Sequence, residues 1–407
     1  MGRFPRHGAA AGPRVDCGFV TSDTATTAAP STKRVPFWDN ARFACVTLVV
    51  IGHGIQRLTA DSDNALAVYL FIYAFHVPAF AIISGYFTKS GAPNVRQMKR
   101  VLTDIVLPYV IMETIWTLVQ FLVEGKDSFN PSQPSWTLWF LLALGIFRLV
   151  LPYLALFRFP LLIAVIISLG VGYLPNVDST FSLSRTLGIL PFFVLGWKLR
   201  EWGLIDRWRV VEKQTWLVRG GAIAVLAAWL AVVISLIESF RGMQLQLWFF
   251  YDDSYSGIGE DQWWASLVRL ALMALAVILT GAFFVLVPRR ATWFTAFGQS
   301  TMYVYLLHSF VLYPLRETGF LRGDHSTWVW LLGMIVASVL ISIALSTKFV
   351  RRIFWPLIEP RPGWLFVKER ERPGDKEKPA GPERSSRTDP TGSRRSETAR
   401  RSPPSAG

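Results

Sequence analysis

Two ionisable residues, Arg42 and His53, lie eleven positions apart in the otherwise apolar segment RFACVTLVVIGH. Eleven residues of α-helix turn by about 1100°, within ~20° of three full turns, so both side chains share one face, separated by a rise of about 16 Å. A neutral imidazole among apolar groups can accept a proton, as a general base does. The spacing is explained equally well by a histidine that only bonds across helices. For Arg42, the spacing slightly favours the role of a simple anchor at a membrane surface.

The segment that holds these two residues is one of many long apolar runs. The chain has 407 residues, of which 52% are hydrophobic and only 17% are charged, and its mean hydropathy is +0.35. Because a spanning helix needs about 20 apolar residues, the runs predict an all-α polytopic membrane protein, a bundle of about ten transmembrane helices. The predicted spans are residues 41–59, 65–87, 101–123, 136–157, 159–175, 182–199, 216–238, 263–287, 292–314 and 328–349.

The charges of the loops alternate along the chain. Basic residues dominate the loops after the second, sixth, eighth and tenth spans, whereas LTADSDN, EGKDSFNPSQPS, PNVDS and YDDSYSGIGEDQ carry Asp and Glu. The positive-inside rule therefore predicts a multi-pass plasma-membrane protein with membrane lipids around it and with both termini cytoplasmic. The formal net charge of +14 lies mostly in the chain ends and these loops. Since no basic stripe is interleaved with aromatic residues, nucleic acid is not an expected partner.

Composition divides the chain into three regions. Residues 1–35 and 359–407 are polar and poor in large apolar side chains, which predicts disordered cytoplasmic tails, the second of them basic. Residues 36–358 form the predicted transmembrane domain. Cys17 and Cys45, the only cysteines, lie in a polar tail and an apolar run. Neither a disulfide framework nor a metal site is therefore predicted.

Two segments, FWDNARFACVTLVVIGH and FHVPAFAIISGYF, place polar residues at defined positions in apolar runs. The first has an arginine, ten residues and then a histidine. The second has a histidine-proline run that ends in Ser-Gly-aromatic, with Phe75, His76, Pro78, Phe80, Ser84, Gly85 and Tyr86. Together the two segments resemble motifs of the membrane acyltransferase-3 family, and more closely those of its fucose 4-O-acetylase-like branch. Later segments are also similar, so the resemblance covers about residues 34–350: MKRVLTDIVLPYV, SWTLWFLLAL, SRTLGILPFFVLGWKL and GQSTMYVYLLHSF.

The resemblance implies a membrane-embedded O-acyltransferase. Such an enzyme moves an acyl group, here expected to be acetyl, from cytoplasmic acyl-CoA to a hydroxyl group. The acceptor would be a sugar, a glycolipid or another cell-envelope or exported compound. Acyl-CoA is then a donor substrate, and no permanently bound cofactor is expected.

The resemblance also suggests roles for the residues of the first span and its neighbours. Arg42, Lys99 and Arg100 would bind the CoA phosphates at the cytoplasmic mouth through charge-assisted hydrogen bonds. Asp39 would orient Arg42, or would cap the first helix, which its place just before the span favours. His53 would take the proton of the attacking hydroxyl or carry the acyl group transiently.

Polar residues of other spans complete the predicted site. Glu113, a lone acid in the third span, would orient His53 or, equally well, bond elsewhere between helices. Arg185 would bind the acceptor or form a buried ion pair. For Trp139, packing or a place in the interfacial belt is the commoner role. The other candidates for substrate binding are His76, Ser84 and His308.

Two features of the second span concern backbone geometry. Pro78, two residues after His76, predicts a kink that frees a carbonyl group. Ser84 and Gly85 predict a close approach to another helix, because small side chains let two backbones come together.

The main alternative function is a transporter or flippase of a polar lipid-linked compound, because polar residues inside spans also mark transport paths. Paired broken helices in two symmetric halves would indicate a transporter, and the sequence has no such symmetry. A non-catalytic membrane scaffold leaves the spacing of Arg42 and His53 without a reason.

Overall fold

A computed structural model describes residues 1–2, 34–91, 94–125, 129–177, 179–211, 216–317, 327–360 and 363–366. The chain divides into a helical unit, Met1–Arg361, and a C-terminal unit, Pro362–Gly407, of which only the turn at 363–366 is described. Within the described residues every regular element is a helix and no strand occurs. The two predicted tails lie almost entirely outside the described residues.

The described helices follow the predicted apolar runs, and each of the ten predicted segments overlaps at least one helix. In chain order they are α1 Pro36–Ile55, α2 Asp63–Tyr73, α3 His76–Phe87, α4 Val95–Val101, α5 Leu107–Glu124, α6 Trp139–Leu154, α7 Pro160–Val171, α8 Leu183–Glu201, α9 Leu204–Val210, α10 Trp216–Ser235, α11 Ile237–Gly242, α12 Leu245–Phe250, α13 Ala265–Leu286, α14 Thr301–Glu317, α15 Trp328–Leu345 and α16 Lys348–Ile358. A π-helical turn, Leu102–Val106, joins α4 to α5.

Among the described helices, five segments are long and apolar enough to cross a membrane. They are Asp63–Phe87, Val95–Glu124, Trp216–Ser235, Ala265–Leu286 and Trp328–Leu345. Helices α6 and α7 are apolar but shorter. This composition is that of a helical membrane protein.

The second predicted span is divided into two helices rather than merely kinked. Helix α2 ends at Tyr73 and α3 begins at His76, because Pro78 has no N–H to donate to the carbonyl of Ala74. Across this break, His76 Nδ1 donates to the carbonyl of Ile72 at 2.9 Å. The break therefore fixes the direction of the His76 ring at the start of α3.

Glycines let α3 and α8 pack backbone against backbone. A Cβ atom at Gly85 would overlap the carbonyl of Phe193, and one at Gly196 would overlap the carbonyl of Ile82. The close approach predicted from Ser84 and Gly85 is thus confirmed. Helix α1 packs against α3, α14 and α15, so helices from both halves of the chain surround it.

Candidate active site

One end of α1 reaches a cavity of about 550 Å³ that has basic walls. Cationic side chains from four elements line it, and we call it the basic cavity: Arg42, Lys89, Arg100 and Arg148. Ser84 of α3 also lines it. Of the predicted donor residues, Arg42 and Arg100 are therefore brought together, whereas Lys99 is not among the lining residues. Lys89 and Arg148 were missed, since nothing in their local sequence distinguishes them from other loop or helix-end cations.

Arg42 is held in place by its own helix and by α3. Its Nη1 lies 3.4 Å from Oδ1 of Asp39, and the Arg42 side chain is 31% exposed against 6% for Asp39. Its guanidinium carbon lies 4.3 Å from the centre of the Phe87 ring, close enough for a cation–π contact. The alternative role of Asp39 as a helix cap is wrong, because Val35 is the N-cap and α1 begins at Pro36.

The other end of α1 places His53 in a second space of about 460 Å³, which we call the reaction cavity. Three further predicted residues line it with His53, namely His76, Trp139 and Arg185. These four come from α1, α3, α6 and α8. The lining also includes residues that the sequence did not single out, among them Gln56, Tyr69, Tyr73, Trp136, Phe249, Phe250 and Asp252.

The His53 ring is surrounded by other rings. Its centroid lies 5.5 Å from that of His308, 5.6 Å from Trp136 and 6.4 Å from Tyr73. Within the described part of the chain, its Nδ1 atom is buried without a hydrogen-bond partner. Since no carbonyl or carboxylate of those residues holds this nitrogen, the ring is available to exchange a proton.

The ring of His308 packs near the ring of His53 and does not face the reaction cavity. It is fully buried, and its Nδ1 donates to the carbonyl of Val304, one turn earlier in α14, at 3.0 Å. It does not line the reaction cavity, so its contact with His53 is what brings it to the site. A direct role of His308 in substrate binding is not supported by this position.

Arg185 forms an ion pair, which is one of the two roles that the sequence left open, at the edge of the reaction cavity. Its Nη2 lies 2.5 Å from Oδ2 of Asp252, its guanidinium carbon lies 5.1 Å from the centre of the Trp139 ring, and it also lines the reaction cavity. Asp252 lies in the acidic loop after α12, which was the available signal for this pair. Burial and the adjacent Asp252 carboxylate raise the pKa of Asp253, while Arg185 opposes that shift.

The acyltransferase domain of the acyltransferase-3 family matches residues 35–347, which is most of the chain. The chain belongs to the acyltransferase-3 family. It is therefore a membrane acyltransferase, and the match includes α1 and every helix that lines the two cavities. No curated protein and no solved structure gives a significant match.

In this acyltransferase, Glu113 makes a bond other than the predicted one to His53. Both of its carboxylate oxygens are occupied by Ser135, whose N–H donates at 2.9 Å and whose hydroxyl donates at 2.6 Å. The open alternative, a bond to another helix, is not observed either, because Ser135 lies in the connection before α6. Ser135 directly precedes Trp136, which lines the reaction cavity. The bonds from Ser135 to Glu113 therefore hold this part of the cavity wall in place.

A further cavity of about 620 Å³ also reaches His53 in this acyltransferase. It shares Gln56, Tyr69, Trp136 and Phe250 with the reaction cavity. Its remaining polar lining includes Arg57, Gln246 and Arg316. His53 is thus reached by two sizeable spaces on the side away from Arg42.

The basic cavity and the reaction cavity are separated by a void of about 30 Å³, which we call the constriction. It shares Phe80, Phe140 and Tyr305 with the basic cavity, and His53, His76, Val77 and Trp139 with the reaction cavity. Val49 and Thr137 complete its lining. Residues of both cavities therefore meet around a small void between the cationic end and the histidine end of the acyltransferase.

Proposed function

We propose that this acyltransferase is an O-acetyltransferase of the fucose 4-O-acetylase-like branch, located in the plasma membrane with both termini cytoplasmic. It would transfer acetyl from cytoplasmic acetyl-CoA to a hydroxyl of a sugar or glycolipid acceptor of the cell envelope. One observation supports this most: α1 carries Arg42 into the basic cavity and His53 into the reaction cavity. A single helix thereby links an anion-binding space to a proton acceptor.

The basic cavity suits the CoA end of the donor. Arg42, Lys89, Arg100 and Arg148 line a volume of about 550 Å³, which is in the range of small-molecule sites. Guanidinium groups bind phosphate oxygens through paired, charge-assisted hydrogen bonds. The constriction lies between this cavity and His53, so bulk water has little room beside the thioester.

The reaction cavity suits a hydroxylated acceptor. Aromatic rings form much of its wall, and the Arg185–Asp252 pair adds one donor group and one acceptor group at a partly buried position. Acceptor hydroxyls can donate to the Asp252 carboxylate and accept from Arg185. Because the pair is neutral overall, it favours a neutral acceptor over a strongly anionic one.

His53 acts on the attacking hydroxyl group. It takes the hydroxyl proton while the acceptor oxygen forms a bond to the acyl carbon. The carbon–sulfur bond of the thioester then breaks, and the proton passes from His53 to the leaving thiolate to give free CoA. Atoms and charge balance without a metal ion or a redox partner.

Inverted membrane vesicles from cells that make the native acceptor provide the test. With radiolabelled acetyl-CoA outside, vesicles that contain the protein are expected to label envelope carbohydrate, whereas vesicles from a deletion strain are not. Right-side-out vesicles should remain unlabelled, because CoA does not cross the bilayer. Equal labelling with and without the protein would exclude the proposal, and movement of a lipid-linked compound without labelling would favour a flippase.

A further inference from the structure

We propose that the constriction selects the length of the acyl chain, admitting acetyl and rejecting longer chains. This inference rests on the proposed function. The acyl group sits in the constriction, the thioester sulfur stays on the side of the basic cavity, and the acceptor hydroxyl approaches from the reaction cavity. His53 lines both the constriction and the reaction cavity, so it faces the acyl carbon and the incoming oxygen together.

The volume of the constriction is the first argument. It measures about 30 Å³, against about 550 Å³ and 460 Å³ for the spaces on either side. Since a cavity needs about 10–15 Å³ to hold one water molecule, this space admits roughly two groups of that size. A two-carbon acyl group fits with small adjustments of its neighbours, whereas each further methylene requires a wall to move.

The walls of the constriction resist such movement. Phe80 and Phe140 meet edge to face at 5.9 Å, and Phe140 and Tyr305 do so at 6.2 Å, between ring centroids. The Tyr305 hydroxyl donates to the carbonyl of Thr137, and the Thr137 hydroxyl lies 3.2 Å from that of Ser309. Three aromatic rings from α3, α6 and α14 are therefore fixed against one another, and close-packed interiors do not expand freely.

Two apolar wall residues come from different helices and limit the width of the constriction. Val49 of α1 is 7% exposed and Phe80 of α3 is half-buried, and both face the void. Shortening either one adds space next to His53 without removing an ionisable group. A hydrophobic pocket discriminates about 10- to 200-fold per methylene, so the wild-type preference for acetyl over butyryl is expected to reach at least about tenfold.

The experiment compares acetyl-, propionyl- and butyryl-CoA, each labelled in the acyl group, as donors to the native acceptor in inverted vesicles. Wild type, Phe80→Ala and Val49→Ala are measured in parallel, with insertion checked by quantitative immunodetection. Phe71→Ala is the matched control, because Phe71 is a half-buried aromatic residue that packs on Phe75 at 5.7 Å and lines none of these cavities. The ratio of butyryl to acetyl transfer is expected to rise about tenfold or more in both constriction variants and to stay at the wild-type value in the control.

Each outcome decides one point. Wild-type transfer of butyryl within about twofold of acetyl, or an unchanged ratio in both constriction variants, overturns the inference while the proposed function stands. Failure of the wild type to transfer acyl from any thioester overturns the proposed function instead. If Phe80→Ala does not insert, Val49→Ala alone gives the answer, because it removes only two carbon atoms.

Discussion

The imidazole rings of His53 and His308 lie 5.5 Å apart between centroids and are tilted by 35°. His308 Nδ1 is bonded to the carbonyl of Val304, whereas His53 Nδ1 has no partner among the described residues. His53 also lines the reaction cavity, and His308 does not. We therefore propose different tasks for the two histidines: His53 exchanges the proton, and His308 positions His53.

Replacing His53 tests the first task. His53→Ala is expected to lower acyl transfer by about 10²- to 10⁴-fold, the usual contribution of a general base, while the protein still inserts in normal amounts. The measurement is the initial rate of labelled acetyl transfer at saturating donor, normalised to inserted protein. Full acetylation of the native acceptor by this variant would remove the catalytic assignment.

Replacing His308 tests the second task. His308→Gln keeps a polar side chain, and the variant is expected to lose about tenfold in kcat, or ~1.4 kcal/mol of transition-state stabilisation, with the donor KM within twofold. The melting temperature is recorded in the same detergent. A fall in melting temperature with unchanged kcat would leave His308 with a purely structural role.

Arg42 is expected to act on the donor. Arg42→Ala removes a charged hydrogen-bond donor worth about 1.5–3 kcal/mol, so the KM for acetyl-CoA should rise roughly 10- to 150-fold. Arg42→Lys should recover only part of the loss, because a lysine cannot form the paired bonds of a guanidinium group. The control is Arg158→Ala, since Arg158 is exposed and does not line the basic cavity. Equal donor KM values for Arg42→Ala and Arg158→Ala would contradict a donor site at Arg42.

The ion pair of Arg185 and Asp252 is expected to act on the acceptor. Arg185→Gln and Asp252→Asn should each reduce transfer about tenfold at limiting acceptor, with a donor KM close to that of the wild type. The loss of activation free energy in the double variant should be smaller than the sum of the two single losses. Paired groups of this kind interact by about 0.5–3 kcal/mol in double-mutant cycles. The matched control is Arg241→Gln, which breaks the more exposed pair with Asp63 at 2.7 Å. If the Arg185–Asp252 pair is purely structural, Arg185→Gln and Asp252→Asn should lower the melting temperature and leave the dependence of the transfer rate on acceptor concentration unchanged.

Much of the helical framework could be predicted from the sequence, because membrane helices depend on runs of apolar residues rather than on distant contacts. Each predicted span overlaps a helix, and the small residues Ser84 and Gly85 indicated the close packing of α3 that Gly85 makes with Phe193. The division at Ala74 and Phe75 was anticipated only as a kink. One proline predicts a missing bond but does not predict how far the chain departs from helix before it resumes.

The partners of the polar residues could not be predicted in the same way. Glu113 was assigned to His53 as one of two alternatives, yet it accepts from Ser135, which lies in the connection before α6. Which partner an acid reaches depends on how helices are rotated and how loops return to them, and neither is encoded in periodicity. Asp252, the partner of Arg185, was not predicted either, although it lies in the acidic segment YDDSYSGIGEDQ.

The packing of α3 on α8 gives a prediction about assembly rather than chemistry. In Gly85→Ala and Gly196→Ala the new methyl group overlaps a backbone carbonyl of the facing helix, and overpacking of this kind costs about 1–3 kcal/mol. Both variants are expected to melt at a lower temperature than the wild type. Their rate of acyl transfer should fall along with their melting temperature, because α3 carries His76 and Phe80.

The matched control for this packing is Gly281→Ala in α13. Among the described residues, a methyl group at Gly281 would meet no side chain and no neighbouring helix within 4 Å. This variant should melt at or slightly above the wild-type temperature, because alanine favours helix over glycine by roughly 1 kcal/mol. Equal melting temperatures for Gly85→Ala and Gly281→Ala would show that α3 and α8 do not touch through their backbones.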